Sequence, residues 1–424
     1  MCCRWLTLLL ILVLTAGCGS PSVITDPNNV QKLHEQEETV VTFWNTYSDK
    51  EAWLLERELI PAFERENPGI RVESKNLVFN NELKNTLIAR ASSSRGPDVV
   101  RMSIDWVPEF SHKGLLVPLN GFPGFDQIRS RFDPKIMDVG LYKNDYYSLP
   151  LNLYTKVAIF NRNLLKKAGY TNPPRTMEEV LRIARQHRYT IGIDGFWSWE
   201  TLLYIYSLGG SLTDEKISRS SGYLNSEETV HAVELLKALY KEKLLVVSSK
   251  SNNGERWSRI QAGNMLMIDE GPWFYSLLNK AELERAEKLT VSALFPHRDG
   301  FSSIIGGENM VIMKGSKRQA EAWTFMKWLT SKEAQLFMAQ TGLIPSNREA
   351  AKAWSVSRNS YLHPFAEAVN NSFLRPPVNN WGKIDEVYFM YLKKIFQGEL
   401  SVKTGLDIAA AKIDKLLAEA NSGH

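Results

Sequence analysis

Two tryptophans flank a serine in the stretch Gly195-Phe-Trp-Ser-Trp-Glu200, and a carboxylate follows directly. Indole faces are flat apolar platforms and a carboxylate accepts hydrogen bonds, so this group suits a ligand with one apolar face and a rim of hydroxyls. A Gly-flanked turn this aromatic reads as a binding loop, with Trp199 and Glu200 as its working side chains. Trp44 closes the short run Thr39-Val-Val-Thr-Phe-Trp44, and strand ends in α/β sheets face the ligand crevice; a ring capping the core would look the same in sequence. Gly306-Gly307-Glu308-Asn309 sets flexible backbone beside two polar side chains, although a plain turn would also use those glycines. Asn80 and Asn81 are further candidates for hydrogen bonding.

Residues able to carry out covalent chemistry are not grouped. There is no Gly-x-Ser-x-Gly elbow, no His-Glu-x-x-His and no phosphate loop. The seven histidines stand at 34, 112, 187, 231, 297, 363 and 424, without metal-ligand spacing. Neither a catalytic residue, a metal nor a cofactor is expected. Carboxylates and aromatic platforms also describe glycosidases, so an enzyme stays open as a competing class.

Elements that must position these residues follow from periodicity. The run Thr39 to Trp44 is a strand, and Glu51 to Glu66 has helical spacing that stops at Asn67-Pro68-Gly69. Ile70 to Glu73 and Pro97 to Met102 are strands, with a helix over Glu82 to Ala91 between them; this alternation predicts a parallel sheet. After Pro150 a second α/β region is expected, with strands at Lys156 to Phe160, Asn264 to Ile268 and Asn309 to Met313. Helices are expected at Met177 to Gln186, Ser226 to Lys241, Gln319 to Leu329, Lys332 to Thr341, Ile384 to Phe396 and Val402 to Ala420.

Composition sets the outer bounds. Hydrophobic residues at 44% and charged residues at 23% are globular values, so a packed body is expected. A formal charge of +4 spread along 424 residues gives no basic patch for nucleic acid. Twelve Trp, several in polar or Gly/Pro-flanked contexts, add to the case for an aromatic binding surface.

The amino end has its own logic. One charge at Arg4 precedes the apolar stretch Leu6 to Leu14, which is signal length and shorter than the roughly 20 residues of a membrane span. Ala16 and Gly17 before Cys18 resemble the lipobox of bacterial lipoproteins, with Thr15 where that motif usually has Leu. The resemblance implies removal of residues 1–17, acylation of Cys18, and a polar tether over 18–38. Cys2 and Cys3 would leave with the signal, so no disulfide is expected.

From Val40 onward the chain resembles the extracellular solute-binding proteins of ABC transporters, in the carbohydrate-type group that includes maltodextrin-binding proteins. The resemblance rests on ordered stretches, among them FWNTYSD at 43–49, GPDVVRMSIDWVPEFSHKGLLVPL at 96–119, YSLPLNLYTKVAIFNRNLLKKAG at 147–169, GNMLMIDEGPW at 263–273 and TGLIPSNREA at 341–350. It implies an α/β, type II-like periplasmic-binding fold of two lobes. The N-terminal lobe would comprise 39–152 and 297–348, and the C-terminal lobe 153–296 and 349–424. The hinge would cross near Leu151 to Thr155, Phe295 to Ser303 and Ile344 to Ala350, with the ligand between the lobes.

It also implies roles for particular residues. Asp105 falls where the family has a sugar-contacting aspartate, and Tyr154 where it has a sugar-binding carboxylate, so one acidic contact is replaced. Trp273 behind Gly271-Pro272, and Trp381 in Asn379-Asn380-Trp-Gly382, match stacking aromatics. The implied protein is a monomer, lipid-anchored on the extracytoplasmic face, that hands a carbohydrate to membrane permease subunits. A receptor for a polyamine or a glycerophosphodiester is the other alternative; an anion would call on Arg101 or Arg375.

Overall fold

A computed structural model describes residues 38–248, 255–298, 300–301, 303–356 and 360–422. Cys18, with the signal and tether expectations, lies outside these residues. Strand β1 (Thr39–Asn45) alternates cleanly, burying Val41, Phe43 and Asn45. Helical residues then run from Asp49 to Glu66, opened by a box in which the Ser48 N–H donates to the Glu51 carboxylate at 2.8 Å. This stretch includes a π-turn over Leu55–Leu59, and Leu55, Leu59, Ile60 and Phe63 face inward. Gly69 takes φ 96°, the left-handed conformation that turns the chain into β2 (Ile70–Asn76), parallel to β1. The helix Asn81–Ser92 leads to β3 (Val99–Ser103), buried along its whole length.

A small hairpin, β4 (Leu141–Tyr142) with β5 (Asp145–Tyr146), precedes β6 (Leu149–Thr155). The chain then changes sheet. Strands β7 (Val157–Asn161), β8 (Ile191–Ile193), β9 (Leu245–Val247), β10 (Met267–Glu270) and β11 (Thr290–Ala293) form a second sheet, ordered β11-β7-β10-β8-β9. Strand β12 (Ser303–Ile312) returns to the first sheet, followed by β13 (Ile344–Pro345) and β14 (Ser372–Leu374). The first sheet is ordered β13-β6-β12-β3-β1-β2, with β14 paired to the start of β12. Two α/β lobes result, each on its own sheet. The sheet changes at Lys156, because β6 extends through Thr155.

The expected parallel sheet needs correction. Strands β1, β2 and β3 are parallel, but β12 runs antiparallel to both β3 and β6. β12 enters from the other lobe rather than through a helical crossover, so its direction is free of the βαβ rule. It also starts six residues before the expected Asn309, which places Gly306 and Gly307 inside a strand rather than a turn. In the first lobe, Phe325 of the helix Gln319–Leu329 packs edge-on against Phe43 at 5.2 Å and Phe63 at 5.1 Å. In the second, the helices Trp381–Gln397 and Val402–Ser422 pack together and bury Ile395, Leu406 and Leu417 with Leu202 and Tyr204.

Charge fixes the crossing. The Lys156 ammonium donates to Asp269 at 2.6 Å, with both side chains almost wholly buried. Arg256 lies 3.6 Å from the same carboxylate, and the Tyr204 hydroxyl donates to it at 3.0 Å. Burial alone would raise the Asp269 pKa, but Lys156 and Arg256 outweigh it and hold the group below the usual aspartate range. Hydroxyls join the crossing strands: Thr155 meets Ser303 at 2.6 Å and Ser372 at 3.3 Å.

Two outcomes follow from this packing. Phe325→Ala should lower unfolding free energy by about 3–5 kcal/mol in urea titrations. Asp269→Asn should cost about 3–5 kcal/mol at neutral pH, since it removes the carboxylate paired with the buried Lys156 ammonium, while Arg256 keeps Glu270 and Asp194. A carboxylate with a depressed folded pKa stabilises above its unfolded value of about 3.9 and loses that contribution as pH falls below it. The gap between wild type and Asp269→Asn should therefore close on acidification; a gap constant down to pH 3 would refute this role.

Candidate ligand-binding cleft

Side chains on β6 and β12 build the floor. Tyr154 lies opposite Gly306 in the antiparallel ladder, and a Cβ on Gly306 would come within 2.3 Å of the tyrosine ring. Gly306 therefore lets the ring lie across the neighbouring strand. Two indoles meet that ring edge-on: Trp199 at 5.5 Å and 86°, Trp273 at 5.9 Å and 90°. Trp199 stands in the first turn of the helix Ser198–Ser207 and Trp273 opens the helix Trp273–Leu277. A Cβ on Gly271 would fall 1.9 Å from the Trp273 ring, so the glycine before Pro272 is what allows the indole to fold back.

These rings border a cavity of about 610 Å³, whose other walls include Tyr47, Phe79 and Leu343. At its base Glu308 accepts from Arg101 at 2.8 Å and from Asn152 at 2.6 Å. The Arg101 guanidinium sits 4.1 Å from the Tyr47 ring centroid and also donates to the Thr46 hydroxyl at 2.8 Å. Burial raises the Glu308 pKa, and Arg101 with Asn152 recovers only part of that rise. Burial, with Glu308 and Asp105 nearby, holds the Tyr154 pKa well above its ordinary value. Its hydroxyl stays protonated and able to donate.

A second cavity of about 550 Å³ shares Phe79, Tyr154 and Trp199 with the first. Asp105 and Arg375 form an ion pair in its wall, and the Arg375 guanidinium stands 5.3 Å from the Trp199 centroid. Burial raises the Asp105 pKa against the pull of Arg375. Phe79 stacks on Trp106 at 4.8 Å and 11°, making an aromatic lip. Two buried donors in this wall, Trp381 Nε1 and Arg375 Nε, have no hydrogen-bond partner among the described residues.

Of the sequence candidates, Tyr154, Trp199, Trp273 and Glu308 line the first cavity, and Asn80, Asp105, Tyr154, Trp199, Glu200 and Trp381 line the second. Trp44 is a correction. Its side chain leaves the strand on the face covered by the helix Asn81–Ser92, lying 5.1 Å from Lys75 and 5.2 Å from Arg90. Strand-end geometry applies three residues later, to Tyr47. Asn80 caps its helix by accepting from the Leu83 N–H at 2.8 Å. The binding loop at Gly195–Glu200 is half helix, since Ser198 begins one. Sequence reasoning missed Tyr47, Phe79 and Trp106; the apolar triplet Leu77-Val78-Phe79 directly before a capping asparagine was the available signal for Phe79.

Known proteins place this geometry. The structure superposes on the GacH receptor of Streptomyces glaucescens, solved unliganded and with acarbose, with a TM-score of 0.77 at 25% identity, covering 89% of this chain and 98% of that one. The maltotriose-binding protein of Pyrococcus abyssi is 21% identical over 311 residues, 72% of this chain and 66% of its own length. The diacetylchitobiose binding protein DasA of Streptomyces coelicolor is 20% identical over 318 residues, 72% of this chain and 73% of its own. The profile of the bacterial extracellular solute-binding proteins matches residues 58–362, most of the folded body. With two lobes, a crossing at Lys156 and an aromatic cleft between the sheets, the chain belongs to the bacterial extracellular solute-binding protein family.

Proposed function

We propose that this chain is the substrate-binding protein of an ABC importer and captures a carbohydrate in the cleft. One observation carries the reading: Tyr154, Trp199 and Trp273 converge from three separate elements above the buried Arg101–Glu308–Asn152 cluster. The rings suit the C–H face of a sugar, and the polar cluster suits its hydroxyls. The maltotriose and diacetylchitobiose binders and the acarbose-bound GacH receptor support the same class of ligand.

Two of the carboxylates that line the cavities are engaged in a way that favours binding over hydrolysis. Glu308 is held by Arg101, and Asp105 by Arg375, so each is engaged in an ion pair. Those pairings also neutralise the two arginines that an anionic ligand would need. Acylation at Cys18 would tether a monomer to the extracytoplasmic face, where it would meet permease subunits. Among the described residues no helix is long and apolar enough to cross a membrane.

Calorimetric titration of residues 38–424 with maltotriose, diacetylchitobiose and acarbose should give saturable binding of at least one, with no hydrolysis product. Trp273→Ala and Trp199→Ala should each cost about 2 kcal/mol or more. Trp44→Ala should leave affinity unchanged. Saturation by spermidine or glycerophosphocholine alone would overturn the carbohydrate assignment. For the full-length chain expressed in bacteria, Cys18→Ser should shift it from the membrane fraction to the soluble one; retention in the membrane would remove the anchor.

A further inference from the structure

Behind the floor of the cleft lies another cavity, of about 500 Å³. Its base is Leu153, Ile305 and Ile344, one each from β6, β12 and β13, and its apolar walls include Ile136, Trp354 and Val369. Successive residues of a strand point to opposite faces, so Leu153 serves the rear cavity while Tyr154 serves the cleft. Ile305 and Gly306 divide in the same way, and one layer of backbone separates the two cavities.

The lining of this cavity has a charge bias. Lys135, Arg348 and Lys352 face a single carboxylate, Asp133, which already accepts from the Lys135 N–H at 2.9 Å. Arg348 and Lys352 are four apart on the helix Arg348–Ser355 and so share a face. Both are exposed, and neither forms an ion pair among the described residues. An apolar base with unneutralised cations beside it is complementary to an anion that has an apolar body.

The walls also report the hinge. Ile136 and Leu153 belong with the first sheet, whereas the helix His363–Asn370, which supplies Ala366 and Val369, packs on β6, β7 and β12 and so spans the crossing. A change of angle at Lys156 would alter the distance between these walls. A ligand there has different affinities for different lobe angles, and linkage makes the effect on the cleft reciprocal.

We propose that this rear cavity binds a monocarboxylate with an acyl or aryl body, and that its occupancy is coupled to binding in the cleft. Octanoate titrated calorimetrically into residues 38–424 should saturate one site. The double variant Arg348→Ala/Lys352→Ala, altered only at exposed positions, should bind roughly tenfold more weakly, the effect of losing charge-assisted contacts. Octan-1-ol should bind the wild type no better than octanoate binds that variant. Val369→Trp, which fills the cavity, should abolish octanoate binding while thermal unfolding remains cooperative. Absence of saturation, or equal octanoate affinity in wild type and both variants, would overturn the site. An unchanged dissociation constant for the cleft sugar at saturating octanoate would overturn the coupling, and failure of every sugar to bind would instead count against the carbohydrate reading.

Discussion

The pairing of β6 with β12 is the constraint on which the cleft depends. These two strands enter the first sheet from the crossings, run antiparallel, and place Tyr154 over Gly306 and Asn152 beside Glu308. A one-residue slip would turn Tyr154 to the rear and Leu153 to the front, exchanging the aromatic floor for an aliphatic one. The register is held by hydroxyls that join the crossing strands, Thr155 with Ser303 and Ser372, and by the first sheet on either side. Gly306 and Gly307 are needed for close approach: a Cβ at the second would come 2.5 Å from the Asn152 carbonyl.

Buried charge is arranged as pairs within each lobe and between elements of the cleft. Lys156, at the point where the sheet changes, is drawn into the second lobe by Asp269, and its ammonium stands 5.2 Å from the Trp199 centroid. The crossing and an aromatic wall are thereby held by one side chain. Such pairs add little net stability compared with apolar packing, but they fix geometry, because a broken pair leaves a desolvated charge. Arg101 with Glu308 and Arg375 with Asp105 act likewise on the two cavities. A ligand entering the cleft meets side chains already oriented, which reduces the ordering cost of binding.

Much of this was legible in the sequence, and the failures have physical causes. The helix Gln319–Leu329 and the core of β1 followed from periodicity because each buries one face. The direction of β12 was hidden, since strand-helix alternation does not reveal a strand arriving from another lobe. Paired glycines at 306 and 307 read as flexible backbone beside polar side chains, with a plain turn as the other explanation, whereas their use is to admit the Tyr154 ring and a neighbouring carbonyl. Trp44 sits inside β1 and faces the helix Asn81–Ser92, whereas Tyr47 lies beyond the strand's end, where the period of the strand no longer gives a side chain's direction. Trp199 was found because its Gly-flanked turn is unusually aromatic, whereas Tyr154, Trp273 and Trp381 were found through the resemblance to the solute-binding family.

The central claim is that a carbohydrate is held between the two lobes and draws them together about the crossing at Lys156. Small-angle X-ray scattering of residues 38–424, with and without saturating concentrations of the tightest-binding sugar, tests it most directly. The account predicts a smaller radius of gyration with sugar bound, and no such change for a Tyr154→Ala/Trp199→Ala/Trp273→Ala variant under the same conditions. Tight sugar binding by the wild type with identical scattering profiles would contradict it.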